Sequence, residues 1–160
     1  MLGGWELSGI VTYQSGSPFT VTGSTSGNSD PAGQGCLSAA TLCSVRPDIV
    51  GDPNEGPQTV DQWFNTAAFA DVPAAALRPG TAGRGVVRGP GIERWDLSIF
   101  KNFKIYESVS MQFRAETFNA FNHTNPDIAA ANVIKNNPLF GAATQVRDPR
   151  IMQLGLKLNF

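Results

Sequence analysis

Side chains capable of covalent or metal chemistry are sparse in this sequence. It holds one histidine, His123, and two cysteines, Cys36 and Cys43. Structural and catalytic metal sites draw three or four ligands from the protein, so a His/Cys centre would need more than these. A hydrolase needs a Ser or Cys nucleophile, a base, and a third group that orients the base. No such set can be matched around His123. Gly80 to Gly91 carries five glycines with Arg84, Arg88 and Pro90. It lacks the preceding strand and following helix of a phosphate loop, so a tight return into the next element is expected instead. No enzymatic activity and no cofactor are expected. The remaining chemistry is charge set in alternation with apolar residues: Asp96, Arg114, Glu116 and Lys157 each fall on the polar side of a period-2 run. Charges placed so can line a water-filled lumen.

Two smaller groups carry an alternative each. Cys36 and Cys43 have six residues between them in a polar loop. A disulfide closing that loop in an oxidising compartment is expected, against two unpaired thiols. Asn119, Asn122 and Asn125 surround His123. A sugar or ligand site is one reading. Asparagines satisfying backbone groups in turns is the favoured one.

The elements that must position these residues are strands. Arg150 to Phe160 alternates strictly, with Met152, Leu154, Leu156, Leu158 and Phe160 on one face and Gln153, Gly155, Lys157 and Asn159 on the other. Its length suits a tilted strand crossing a bilayer, roughly 9–11 residues. Trp5 to Gln14 alternates too, with Trp5, Leu7, Gly9, Val11 and Tyr13 on the apolar side. Trp5 and Tyr13 stand near its two ends, where aromatic girdles belong. Trp95, Leu97, Ile99 and Phe103 form a third apolar face, broken by Lys101, whose stem can snorkel to the interface. Val109 to Thr117 is the fourth run, with Val109, Met111, Phe113 and Ala115 outward and Ser110, Gln112, Arg114 and Glu116 inward. A packed soluble sandwich could not hold Asp96, Arg114 and Glu116 on a buried face without pairing them.

Between the last two runs only Lys104 to Ser108 intervenes. Setting Asp96 opposite Arg114 also sets Arg94 opposite Glu116, which predicts a hairpin with a three-residue turn, Lys104-Ile105-Tyr106. Ser15 to Pro18 reads as a bend, and Phe19 to Thr22 as a continuation of the first strand above the membrane. From Gly23 to about Gly91 no period persists. Within it, Asp61 to Phe69 is expected to form a short turn packing Trp63, Phe64 and Phe69 on a barrel rim. Phe118 to about Pro149 is a second loop, with a short helix expected over 129–135.

The 160 residues include 17 Gly, 11 Pro and 10 Phe; only 16% are charged, and the net charge is −1. That balance leaves no electrostatic footprint for nucleic acid. No apolar stretch reaches the 18 residues of a membrane helix, and no secretory signal pattern opens the chain. The expected fold is all-β: an antiparallel transmembrane β-barrel fragment of about four strands, two long extracellular loops and one short periplasmic turn. Four strands cannot close a barrel. Residues 1–160 are therefore expected to be the C-terminal strands of a larger barrel, in the cell outer membrane and in contact with its lipid.

Several stretches resemble TonB-dependent outer-membrane receptors of the Oar-like type. They are Gly4 to Val21, Trp63 to Phe69, Arg88 to Gly91, Trp95 to Phe103, Phe113 to His123 and Asp148 to Phe160, in the same order and along nearly the whole chain. The resemblance implies a barrel of about 22 strands with a plugged lumen, often preceded by a carboxypeptidase-regulatory-like domain. It implies uptake driven by contact with TonB, made through an N-terminal part and plug absent from this sequence. It also implies an assembly signal in Gly155, Leu156, Leu158 and Phe160, read by the barrel-assembly machinery through strand pairing. The alternative is a small secreted β-sandwich that binds carbohydrate or protein. The outward apolar residues decide between them, since they touch either lipid or a second sheet.

Overall fold

The computed structural model describes residues 3–24, 44–73, 76 and 78–160. The chain divides into two compact units: Met1–Ser15 with Gly91–Asn125 and Arg147–Phe160, and Gly16–Pro90 with Pro126–Val146. Among the described residues there is no α-helix.

The first unit is one antiparallel sheet of four long strands: β1 (Trp5–Gln14), β2 (Ile92–Lys104), β3 (Ser110–Phe118) and β4 (Ile151–Asn159). They pair in sequence order, and all four match the alternating runs to within three residues. Alternation forces this, because only a strand puts every second side chain on one face. The connections run long, short, long. β1 extends one step beyond its ladder through Gly4, whose carbonyl accepts from Asn102 N–H at 2.8 Å. Gly4 has φ +82°, and a Cβ there would sit 2.8 Å from the Asn102 carbonyl oxygen, so glycine is needed.

The β2–β3 hairpin departs from expectation. Arg114 lies opposite Phe100, not Asp96, and Glu116 opposite Ser98, not Arg94. Ladder pairing closes at Lys104 and Ser110. The turn is drawn shut by Ile105 N–H to Val109 O at 3.0 Å and by mutual bonds between Tyr106 and Val109. Backbone closure of this turn outweighs two exposed charge pairs, each worth only about 0.2–1 kcal/mol. The shift is even, so every side chain keeps its expected face.

The second unit corrects the picture of structureless loops. Two-residue ladders tie Pro18–Phe19 to Val87–Arg88, Gly23–Ser24 to Ser44–Val45, Asp48–Ile49 to Phe69–Ala70 and Pro126–Asp127 to Gln145–Val146. Gln14 lies opposite Ile92 and Pro18 opposite Arg88, the register of the long ladder, so Phe19 resumes the strand pairing after a break over 15–17, as the expected continuation requires. Both loops feed one apolar core. Val21, Phe64, Phe69 and Val87 come from the first loop; Ile128, Val133 and Ala143 come from the second. Phe64, Phe69 and Phe140 meet edge to face, with centroids 5.2–6.0 Å apart. Phe64 and Phe69 are therefore buried core residues of this unit. Backbone bonds cross between the loops: Thr22 N–H to Val133 O at 3.1 Å, Lys135 N–H to Thr22 O at 2.7 Å, and Trp63 N–H to Gly141 O at 2.7 Å. The expected helix over 129–135 is a single 3₁₀ turn, Ala130–Val133, and another forms at Thr66–Ala68. Asn65 caps the latter by accepting from Ala67 N–H.

Candidate functional site

The sheet of the first unit offers two surfaces and two edges. Its outward face is apolar. Trp5, Leu7, Val11 and Tyr13 of β1, Ile99 and Phe103 of β2, and Met152, Leu154, Leu156 and Leu158 of β4 are exposed. Every residue of β1 and of β4 is exposed, so both sides of these strands are open. A soluble sandwich would bury its apolar face against a second sheet; none among the described residues covers this one.

Two charged residues, Lys101 and Glu93, stand on that face, opposite Trp5 and Tyr13. Lys101 is only 7% exposed. Its ammonium donates to Gly3 O at 2.6 Å and lies 4.8 Å from the Trp5 ring centroid and 5.6 Å from that of Phe103. The ammonium reaches past the Trp5 end of β1 and is held there by a carbonyl and two aromatic rings.

The inward face is polar. The ladder places Asp96, Arg114, Glu116 and Lys157 together on it. They do not pair with one another as expected. Asp96 accepts from Arg94 Nε at 2.8 Å on its own strand and from Asn119 N–H at 2.9 Å. Arg114 stacks over Phe100 and donates to Gln112 at 2.6 Å. Glu116 accepts from Gln153 across β3 and β4. Near the loop end of this face lies a half-open cleft of about 640 Å³, bordered by Thr12, Arg94, Asp96, Asn119, Asn125 and Asp148.

The asparagines around His123 turn out to be a backbone lock. Asn119 adopts φ +51° and Asn122 φ +52°, a region that Asn tolerates better than most residues. Asn119 accepts from His123 N–H at 2.9 Å and donates to the carbonyls of His123 and Asp148. Asn125 accepts from Glu93 N–H at 2.8 Å and donates to Glu93 O at 2.9 Å, continuing the pairing of β2 with a side chain. Asn122 accepts from Arg150 N–H at 3.0 Å. Together they fasten the end of β3 to β2 and to the start of β4. The sequence signal was the density of asparagine; the partners lie too far along the chain to be inferred.

The residues of the expected assembly signal lie on the β4 edge. Leu156 and Leu158 face outward, opposite Phe113 and Met111. Gly155 faces Arg114, and a Cβ there would make only ordinary contact, 3.7 Å from the Arg114 Cβ. Phe160 follows the strand and is 92% exposed. Cys36 and Cys43 lie outside the described residues.

The sequence matches the family model described as "Outer membrane beta barrel domain" over residues 1–153. No curated protein and no solved structure matches it. An apolar outward face that no second sheet among the described residues covers suits such a wall, and the soluble sandwich is set aside by the family and the geometry together. The chain belongs to the outer membrane β-barrel domain family, and its place is the cell outer membrane.

Proposed function

We propose that this chain is the C-terminal part of the barrel of a TonB-dependent receptor of the Oar-like type, contributing membrane strands, extracellular loops and an assembly signal. One observation carries the reading. β1 and β4 each have a hydrogen-bonded neighbour on one side only among the described residues. In hydrocarbon an unpaired edge leaves a row of backbone groups unsatisfied, at several kcal/mol each. Further strands must therefore continue the wall past both edges. The resemblance of Gly4 to Val21 and of Trp95 to Phe103 to late receptor strands supports which barrel it is. In this reading the β2–β3 turn is periplasmic and the two-loop unit extracellular. TonB acts through a plug and N-terminal segment outside this sequence.

The test is an immunoblot of fractionated cells with an antibody against residues 50–65, followed by peptide sequencing of the band. The expected result is an outer-membrane protein many times heavier than 17.0 kDa, with a plug domain preceding the barrel. A 17.0 kDa species alone in that membrane overturns the reading. Deleting Phe160 from the full-length protein is expected to lower its outer-membrane level severalfold. Unchanged insertion removes the assembly signal from the proposal.

A further inference from the structure

The inward face is not evenly charged along its height. From the level of Arg114 to the β2–β3 turn, its paired positions carry three cations, Arg114, Lys157 and Lys104, and one acid, Glu6. Glu6 stands opposite Phe100, so β2 lies between it and Arg114. Glu116, the next acid along β3, accepts from Gln153. Among the described residues no ion pair engages Arg114 or Lys157.

Of these cations, Arg114 has the most constrained setting. Its Nε donates to Gln112 Oε1 at 2.6 Å, and Gln112 Nε2 donates in turn to Asn102 Oδ1 at 2.9 Å. Its guanidinium carbon lies 5.3 Å from the ring centroid of Phe100, the residue directly opposite on β2. On the β4 side the opposing residue is Gly155, which presents no side chain. Arg114 is exposed on this face. The ring and the amide relay hold the guanidinium while engaging only Nε. Both terminal nitrogens remain, and no other residue described here binds them. A side chain held in place before its ligand arrives loses less freedom on binding, which is preorganisation.

The chemistry that suits this fork is a carboxylate, whose paired oxygens match the planar nitrogens of a guanidinium. Lys157, opposite Gln112 on the same face, adds a second positive charge. We propose that Arg114, held by Phe100 and Gln112 and assisted by Lys157, receives a carboxylate inside the lumen. The inference rests on the reading that this face lines a barrel interior. Two sources offer that group: an acidic side chain of the polypeptide that plugs the lumen, or a carboxylate solute in transit.

The test uses the full-length protein carrying this chain, with succinate replacing chloride at constant ionic strength. For a solute source, succinate raises the melting temperature of the wild type. Arg114→Gln then raises the half-saturating concentration about tenfold, roughly the loss of one charge-assisted bond. For an internal source the site is already filled, so the wild type does not respond. Arg114→Gln then lowers the urea concentration at which the pore opens to ions in a planar bilayer. Arg114→Lys keeps the charge without the fork and is expected to follow Arg114→Gln in either arm. Gln112→Ala frees the fork and keeps its charge; it is expected to move the same readout the same way by less. Gel migration without boiling reports whether each variant barrel is folded. A succinate response that Arg114→Gln leaves unchanged overturns the proposal. So does no response together with an unchanged urea threshold. Arg114→Lys behaving as wild type overturns the fork. A pore open without urea overturns the plugged-receptor reading, while the succinate arm still decides the site.

Discussion

The two units of this chain invert each other. In the strand sheet, apolar side chains are regularly spaced and point away from the protein. In the two-loop unit they follow no period and converge. Every buried hydrophobic residue identified among the described residues, from Val21 and Phe64 to Val133 and Ala143, belongs to the loops; most of the large exposed ones belong to the strands. The difference follows from the solvent each meets. A strand in lipid satisfies its apolar face without packing, so a core is unnecessary. A loop in water must bury its Phe and Val side chains to stay ordered.

The contrast can be broken from either side. Phe64→Ala is expected to have the largest effect, about 3–5 kcal/mol from the lost ring and the cavity it leaves. Hydrogen exchange should show the loop unit opening while β1–β4 stay protected; uniform opening of both would make them one cooperative unit. Leu154→Arg is expected to cost about 2–4 kcal/mol in lipid if Leu154 lies near the bilayer midplane. Gln153→Arg, next along β4 but inward and beside Glu116, should be near neutral. Refolding titrations in lipid vesicles compare them, and equal costs would erase the distinction between faces. Asn125→Ala strips partners from both backbone groups of Glu93, at about 1–3 kcal/mol. Faster exchange of the Glu93 amide, with the β4 amides unchanged, would confine that damage to the lock.

The smallest effect is one of pH and belongs to the loop unit. Arg78 donates to both carboxylate oxygens of Asp48, at 2.7 and 2.8 Å. These bonds, chiefly, hold the Asp48 carboxyl at about 2, below its ordinary 3.8. Because the folded value is the lower one, the contribution is complete above pH 3.8 and fades as the pH falls toward 2. Asp48→Asn should flatten that part of the loop unit's acid stability curve. The pair is exposed, so added salt should shrink the effect.

How much was legible differed in the same way. The strands and the outward or inward side of each residue could be read directly, because alternation is local and survives any even change of register. The gathering of Asp96, Arg114, Glu116 and Lys157 on one face followed from that. The backbone lock was legible only as an excess of asparagine near His123. The setting of Arg114 had no signal of its own, since register alone puts Phe100 beside it.

What the amino-acid sequence determined alone was the period: four strands, their faces, and the long, short, long order of connections. Hydrophobic alternation encodes these residue by residue. What only the tertiary structure decided was which residues stand opposite each other and where the buried core lies. Register was set by closure of the Ile105–Val109 turn, and faces do not report an even slip. The core was set by contacts among Val21, Phe64, Val87, Ile128 and Phe140, which no repeat connects and which only folding brings together.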